Sequence, residues 1–284
     1  MLIAQITDLH LGFEPDNPAE FNRTRLDQVI DVLCAMTPRP DLLLATGDLA
    51  DQGDDGVSYA RVEEALAGCP FPIFYGVGNH DSRAPFFAQF PHVPNAGGFV
   101  QYAIEDYPIR ILILDTLDAG RHSGNFCETR AAWLRERLAE EREKPTLIVL
   151  HHPPIESGLS WMTENPGAEW VRRLHAIVSG SGNIVAMISG HLHRPAMAQW
   201  AGTTLIVCPS TAPQVALDLG TIDPEDPDGR PMIVADPPGY ALHKWTGSGL
   251  ISHFDTAEEH VVIAHYGPAL QPLVRMLADE KQGR

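Results

Sequence analysis

The chain has 284 residues, enough to bury a substantial core, and its formal net charge is −17, with 37 acidic against 20 basic residues. It contains no Lys/Arg-rich run, which disfavours stable binding to nucleic acid or to an anionic membrane surface. No apolar stretch approaches the ~20 residues of a membrane span. Four scattered cysteines indicate structural thiols in a reducing compartment, and the N-terminus lacks a signal-peptide pattern, so we expect a soluble cytoplasmic protein.

Short apolar runs alternate with longer segments of helical periodicity along most of the chain. The apolar runs predict buried strands at 2–7, 41–46, 72–77, 110–115, 146–150 and 183–189. The segments between them predict helices at 21–36, 57–66, 129–143 and 169–178. This alternation predicts an α/β fold whose sheet is covered on its faces. We find no linker between separate cores, so we expect a single domain over 1–284, with a core of about 1–210 and an extension of about 211–284.

The extension begins with an acidic, proline-rich segment at 217–239, whose backbone is expected to be irregular. Two interpretations of this segment stay open: a solvated surface loop, or a flap beside the functional site. Three short antiparallel strands are predicted after it, at 240–245, 250–254 and 260–265, with a Gly-Ser-Gly turn between the first two.

Polar side chains follow five of the predicted strands, where each strand ends. They are Asp8 with His10, Asp48, Asn79 with His80, His151 with His152, and His191 with His193. Because the carboxyl ends of parallel strands share one sheet edge, where ligands bind, we expect these clusters to converge in space. Carboxylate, imidazole and amide groups suit divalent metal ions. Asp48 is the natural bridge, because one carboxylate can hold two ions that lie about 3.5–4 Å apart.

In order and spacing these clusters resemble the calcineurin-like metallophosphoesterases. The matching motifs are Asp8-x-His10, Gly47-Asp48-x-x-Asp51, Gly78-Asn79-His80-Asp81, His151-His152-Pro-Pro and Gly190-His191-x-His193, which lie within about residues 1–195. Segments 151–154, 209–214 and 264–268 are similar to the bacterial class III cyclic nucleotide phosphodiesterase and glycerophosphodiesterase branch. The resemblance implies a four-layer α/β/β/α sandwich with a C-terminal strand-containing extension.

The resemblance also implies a two-metal site. One ion is expected to be held by Asp8, His10, Asp48 and His193, and the other by Asp48, Asn79, His151 and His191. Iron, manganese, zinc and cobalt occur in relatives. A metal-activated hydroxide is expected to attack phosphorus in line with the leaving group. His80 is expected to be catalytic rather than a ligand, placed beside the phosphate to stabilise developing charge or to protonate the leaving alkoxide.

Substrate contacts are expected from Asn79, His80 and His122, the last of which lies in a polar loop after the strand at 110–115. The pocket walls are predicted from Phe13, Phe21, the His122 loop and the stretch 210–218.

Three further residues of the motifs carry structural expectations. Asp51 and Asp81 each have two open interpretations: orienting a histidine, or capping a helix or turn. His152 is predicted to be structural, because strand alternation turns it away from the metals.

These patterns favour a binuclear metal-dependent phosphodiesterase for small phosphodiesters, either 3',5'-cyclic nucleotides, glycerophosphodiesters or both. The alternatives are a phosphomonoesterase or protein phosphatase, a nuclease, and a noncatalytic scaffold. The segment 47–53 lacks the arginine of protein phosphatases, the acidity argues against a nuclease, and the retained ligands argue against a scaffold. Relatives assemble through their C-terminal part, so the resemblance implies a homodimer or higher homo-oligomer, with no membrane or stable nucleic-acid partner.

Overall fold

The computed structural model describes residues 1–281. Its strands are β1 (Leu2–Ile6), β2 (Leu42–Thr46), β3 (Ile73–Gly76), β4 (Tyr102–Ile104), β5 (Arg110–Ile113), β6 (Thr146–Val149), β7 (Ile184–Ser189), β8 (Ala196–Trp200), β9 (Thr203–Val207), β10 (Gln214–Val215), β11 (Ile233–Val234), β12 (Gly239–Trp245) and β13 (Leu250–Thr256). Its helices are α1 (Phe21–Ala35), α2 (Gly56–Leu66), α3 (Arg83–Gln89), α4 (Glu128–Glu140), α5 (Glu169–Val178) and α6 (Gln271–Lys281). The predicted strands and helices up to residue 189 are confirmed, with small shifts at their ends.

The larger strands form two sheets. The first has the order β13-β12-β1-β2-β3, in which β1, β2 and β3 run parallel and the two C-terminal strands are antiparallel. The second has the order β4-β5-β6-β7-β9-β8, with a parallel centre and antiparallel strands at both edges. The short strands β10 and β11 form a separate ribbon. The parallel strands of each sheet direct their carboxyl ends to one edge, as the strand–helix alternation predicts.

Side-chain alternation in the second sheet defines the layers of the fold. Ile111, Ile113 and Val149 pack in the same apolar cluster as strands β1 and β2 and helices α1 and α2. The intervening residues Leu112 and Ile148 point the other way and pack with helices α4 and α5. The layers therefore follow the order helix, sheet, sheet, helix, and the predicted α/β/β/α sandwich is confirmed.

The C-terminal segment differs in part from the prediction. The strands expected at 240–245 and 250–254 are present as β12 and β13, where they extend the first sheet. The strand expected at 260–265 is wrong: this segment is irregular and exposed. A strand needs a neighbour that completes its backbone hydrogen bonds, and β13, which ends the sheet, pairs with β12 alone in the described residues.

All four cysteines lie within the described residues. Cys34, Cys69, Cys127 and Cys208 are all free thiols. Within residues 1–281, no helix is both long enough and apolar enough to cross a membrane.

Candidate metal centre

The polar clusters that follow the strands converge, although they are far apart in the sequence. The donor atoms of Asp8, His10, Asp48 and His193 all lie within 4.8 Å of one another. His151, His152 and His191 form a second group of three residues, whose donor atoms also lie within 4.8 Å of one another. The predicted convergence at the carboxyl edge of the sheets is therefore confirmed.

The spacing between donor atoms suits metal coordination. His10 Nε2 lies 3.2 Å from His193 Nε2, which lies 3.4 Å from Asp8 Oδ1. Asp48 Oδ2 lies 3.7 Å from His10 Nε2 and 3.2 Å from His151 Nε2. Two donors that are each about 2.1 Å from one ion lie about 3.0–3.4 Å apart. Asp48 thus stands between the two groups, where a bridging carboxylate is expected.

Backbone carbonyls fix the tautomer of two imidazoles. His151 Nδ1 lies 3.0 Å from the carbonyl oxygen of Thr46, and His193 Nδ1 lies 2.8 Å from that of Pro213. Because a carbonyl oxygen can only accept, Nδ1 carries the proton in each ring. The Nε2 lone pairs are therefore directed into the cluster, as metal binding requires.

Asp51 holds two histidines in different ways. Its side-chain Oδ1 lies 3.2 Å from His10 Nδ1, so Asp51 orients His10. Its backbone carbonyl accepts a hydrogen bond from His80 Nδ1 at 2.8 Å. His80 is exposed, and its remaining ring nitrogen Nε2 has no protein hydrogen-bond partner among the described residues. Of the two interpretations left open for Asp51, the orienting role fits the geometry.

Asp81 serves the backbone instead. Its buried carboxylate accepts hydrogen bonds from the N–H groups of Gly78 at 2.8 Å and of Leu49 and Ala50 at 3.2 Å, and from the Tyr59 hydroxyl at 3.1 Å. Burial, together with the charge of the nearby Asp48 carboxylate, raises the pKa of Asp81 to about 6. Asp81 therefore ties together the two turns that carry Asp48 and Asn79, and it is a turn residue rather than a histidine partner.

Two buried polar atoms in this site lack a protein hydrogen bond, which indicates whether the site suits cations. Asn79 Oδ1 is buried and has no hydrogen-bond partner among the described residues, and the buried His151 Nε2 faces only the Asp48 carboxylate, at 3.2 Å, without a hydrogen bond of good geometry. A buried polar atom left unpaired costs about 1–3 kcal/mol. A divalent cation accepts lone pairs from both kinds of atom, so the donor set fits two such ions.

Several of the donor residues have strained backbones. The angle φ is 52° at Asp8, 46° at His10, 48° at Asp48, 71° at His191 and 53° at His193. Residues with a side chain rarely adopt this left-handed region, which costs of the order of 1–3 kcal/mol each. Such strain persists where a functional geometry requires it, and here it turns each donor group out of its strand end into the shared site.

The surroundings of the cluster shift the pKa values of its histidines in opposite directions. Burial alone would disfavour both charged forms of the Asp48 and His151 pair, but their mutual attraction dominates: the pKa of Asp48 falls well below its usual range, and that of His151 rises to about 9. Burial and the neighbouring imidazoles of His152 and His151 hold the pKa of His191 well below its usual value. His191 is therefore a neutral donor, and a cation at His151 must displace its proton.

His152 lies closer to the cluster than strand alternation predicts. Its ring centroid is 4.7 Å from that of His191, and its Nδ1 lies 2.8 Å from the hydroxyl oxygen of Thr116.

The family model for the calcineurin-like phosphoesterases matches residues 1–195. The chain belongs to the calcineurin-like phosphoesterase family. It is 29% identical over 277 residues to the glycerophosphodiester phosphodiesterase GpdQ of Enterobacter lignolyticus, covering 95% of this chain and 94% of that protein. It is 36% identical over 212 residues to a probable cyclic nucleotide phosphodiesterase of Rhodopseudomonas palustris, covering 71% and 73% of the two chains.

Solved structures support the fold of this phosphoesterase. A dimetal phosphatase from Danio rerio superposes with a TM-score of 0.63 at 13% identity, covering 91% of this chain and 97% of that one. The predicted resemblance to the metallophosphoesterases is confirmed by the family match, and the predicted branch is that of the curated relatives.

A cleft of about 610 Å³ opens above the metal centre of this phosphoesterase. Its floor is polar, and most of its walls are apolar or aromatic. The lining includes His10, Phe13, Phe21, Asp51, His80, His122, Trp161, Met162, His193, Ala212, Pro213, Val215 and Ile233. The walls predicted from Phe13, Phe21, the His122 loop and 210–218 are therefore in place. Trp161, Met162 and Ile233 were not foreseen, and Ile233 brings one end of the 217–239 segment to the cleft.

Two buried glutamates beside the cleft also escape sequence reasoning. Glu20 accepts hydrogen bonds from the N–H groups of Gly12 at 2.6 Å and Glu14 at 3.0 Å. Glu164 accepts hydrogen bonds from the Ser123 hydroxyl and the Gly124 N–H, in the loop that carries His122. A single glutamate in a polar loop has no periodicity and matches no motif, so the sequence offers no signal that separates these two from solvated acids.

Proposed function

We propose that this phosphoesterase hydrolyses small phosphodiesters at a centre of two divalent or mixed-valence metal ions. The pairing of two donor groups across the Asp48 carboxylate, beneath an open cleft, carries the proposal. The side chains that would hold the ions are Asp8, His10, Asp48, Asn79, His151, His191 and His193. Iron, manganese, zinc and cobalt are the candidate metals, since nitrogen and oxygen donors suit all four.

The substrate class follows from the relatives. One is named a glycerophosphodiester phosphodiesterase, others are named cyclic nucleotide phosphodiesterases, and one from Escherichia coli is named a 3',5'-cyclic adenosine monophosphate phosphodiesterase. Candidates for this chain are therefore 3',5'-cyclic nucleotides, glycerophosphodiesters or both. Two divalent cations outweigh the charges of Asp8 and Asp48, so the centre attracts a phosphodiester anion in spite of the net charge of −17.

Bound cations would lower the pKa of water and neutralise charge on the phosphoryl oxygens. The protein groups have separate tasks around them. In its imidazolium form His80 donates from Nδ1 to the Asp51 carbonyl, and its Nε2–H is free to donate to a phosphate oxygen and to give its proton to the leaving alkoxide, which leaves the neutral ring. His122 lies on the cleft wall, and Asn79, whose amide oxygen is the proposed metal donor, has an amide NH₂ that can donate to a phosphate oxygen. We therefore propose His80 as the catalytic residue and Asn79, His80 and His122 as substrate contacts.

A kinetic panel with defined metals tests the proposal. Protein reconstituted with each candidate metal is assayed on bis(p-nitrophenyl) phosphate, cyclic AMP, cyclic GMP, a glycerophosphodiester and a phosphomonoester. We expect the diesters to be cleaved faster than the monoester, with activity that disappears on chelation and in the variant Asp48→Asn. The proposal fails if metal-loaded protein cleaves no diester, or if it cleaves the monoester preferentially.

Assembly and location complete the proposal. The C-terminal segment exposes several apolar side chains, which supports association of this chain into a homodimer or higher homo-oligomer. The four free thiols suit a reducing compartment such as the cytoplasm.

A further inference from the structure

The loop that carries His122 is held by a side chain from a distant part of the chain. Glu164 is 5% exposed and lies in the segment between β6 and α5. Its Oε2 accepts a hydrogen bond from the Ser123 hydroxyl at 2.7 Å, and its Oε1 accepts one from the Gly124 N–H at 2.8 Å. Both carboxylate oxygens are thus used on the two residues that follow His122.

The same loop is fitted closely against the structure beneath it. A Cβ atom at Gly124 would lie 2.9 Å from His152 Cβ and 3.0 Å from Trp170 Cζ2, so the backbone touches both side chains. The loop therefore has little room to shift away from these contacts while the Glu164 hydrogen bonds persist.

No hydrogen bond to the His122 side chain fixes its position in the described residues. It is exposed, its ring nitrogens have no hydrogen-bond partner among the described residues, and its ring centroid lies 4.6 Å from that of His191. It lines the cleft together with His80. The position of the imidazole over the centre therefore depends on the backbone that Glu164 fixes.

We propose that Glu164 is a positioning residue, which holds the 122–124 loop so that His122 contacts the substrate phosphate. This rests on the proposed function. Misplacing a group by about 1 Å can cost as much as 10²-fold in rate. Glu164→Ala is therefore expected to lower kcat/KM for bis(p-nitrophenyl) phosphate by about 10–100-fold, close to the loss in His122→Ala, with both metals retained.

A double-mutant cycle separates positioning from a general structural role. If Glu164 acts through His122, Glu164→Ala causes little further loss in a His122→Ala background. Glu20→Ala is the comparison, because Glu20 is a comparably buried carboxylate that accepts hydrogen bonds from two backbone N–H groups of the opposite cleft loop, in addition to its ion pair with Arg61. Its effect should add to that of His122→Ala.

Two further measurements keep the test decisive. Glu164→Gln should restore activity to within a few-fold of the wild type, because its amide oxygen accepts from Gly124 and its amide nitrogen donates to the Ser123 hydroxyl. Isothermal titration with inorganic phosphate should show the same non-additive loss of affinity, independent of turnover. If Glu164→Ala fails to fold, Ser123→Ala removes one of the two hydrogen bonds and takes its place in the cycle.

The outcomes are distinct. Additive losses for Glu164→Ala and His122→Ala, in kinetics and in phosphate binding, would overturn the positioning role while leaving diester hydrolysis intact. Absence of hydrolysis in the metal-loaded wild type would overturn the proposed function itself. Non-additivity for Glu164, with additivity for Glu20, supports the inference.

Discussion

Glycines next to the ligands let backbone segments approach the metal donors at distances that no side chain would allow. A Cβ at Gly78 would lie 2.3 Å from Asp48 Oδ1, and one at Gly190 would lie 2.9 Å from Asp8 Oδ2 and 2.0 Å from Oγ1 of the neighbouring Thr7. Such contacts are far shorter than van der Waals distances, so an added methyl group must displace the side chains it meets. The glycines of the motifs therefore shape the proposed metal centre, although they supply no donor atom.

Gly78→Ala should weaken metal binding. Its Cβ would meet both Asp48 Oδ1 and His151 Nε2, the latter at 2.6 Å, so the bridge and a ligand to one ion must shift. We expect metal content, measured by mass spectrometry after dialysis, to fall below one ion per chain. Gly249→Ala is the control, because a Cβ there has no neighbour within 4 Å. Full metal content in Gly78→Ala would contradict the assignment of these ligands.

His80→Ala should separate catalysis from metal binding. His80 bonds to the Asp51 carbonyl through Nδ1 and is assigned no donor role, so both ions should stay bound while kcat falls by about 10²–10⁴-fold. Asn79→Ala is the neighbouring comparison, since it removes a proposed ligand and should lower the occupancy of one ion. Loss of metal from His80→Ala, measured by the same mass spectrometry, would make His80 a ligand instead.

At the scale of elements, a buried polar chain links the two sheets through β1. His243 on β12 contacts Ser252 Oγ on β13 at 2.7 Å and Gln5 Oε1 on β1 at 2.9 Å. Gln5 Nε2 in turn donates to Thr46 Oγ1 at 2.9 Å and to the Ser189 carbonyl, on the second sheet, at 3.1 Å. Because the Gln5 oxygen only accepts, His243 donates from Nε2, and the neutral imidazole that burial favours accepts at Nδ1 from the Ser252 hydroxyl.

This chain predicts an acid-sensitive contribution to stability. Burial lowers the pKa of His243 to about 3 in the folded protein, against 6.5 in the unfolded chain. Between these values the unfolded chain binds a proton that the folded protein does not, so stability falls as pH falls through this window. From pH 7.5 to 5.5 the free energy of unfolding should drop by about 1.4 kcal/mol through this residue alone.

Urea unfolding of metal-stripped protein at the two pH values measures this effect. The comparison is with His243→Gln, in which the titrating group is absent and the other histidines remain. The wild type should lose about 1.4 kcal/mol more than the variant between pH 7.5 and 5.5. Equal losses in the two proteins would show that His243 does not contribute as described.

At the scale of the whole molecule, the sequence predicts what depends on local patterns. Apolar runs and helical periodicity locate the elements that build both sheets, and the polar residues after the runs locate the metal donors. Features that depend on contacts between distant segments are not predictable in this way. Glu164 reaches Ser123 across a helix and a strand, and His243 reaches Gln5 from nearly the other end of the chain. Neither residue differs in local pattern from a solvated polar side chain.

In the C-terminal segment, a local pattern predicts an element that the structure lacks. The strand pattern at 260–265 has no pairing partner in the described residues. Val261 and Ile263 are 85% and 90% exposed, and α6 has no buried residue, although Leu273 and Leu277 lie on it. Exposed apolar side chains in such number support the proposed association of this chain into a homo-oligomer. Within residues 1–281 of one copy, the segment has no packing partner.

The last prediction concerns this surface. Ile263→Asp combined with Leu277→Asp should convert a homo-oligomer into a monomer, because each introduced carboxylate would have to lose its water in the interface. Light scattering after size exclusion, at ~10 µM protein, measures the mass. Met197→Asp is the matched control, since Met197 is 63% exposed on the edge strand β8 and should leave the oligomer unchanged. No residue of 257–281 lines the cleft, so the monomeric variant should keep its diesterase activity. A wild type of monomeric mass would contradict the proposed assembly.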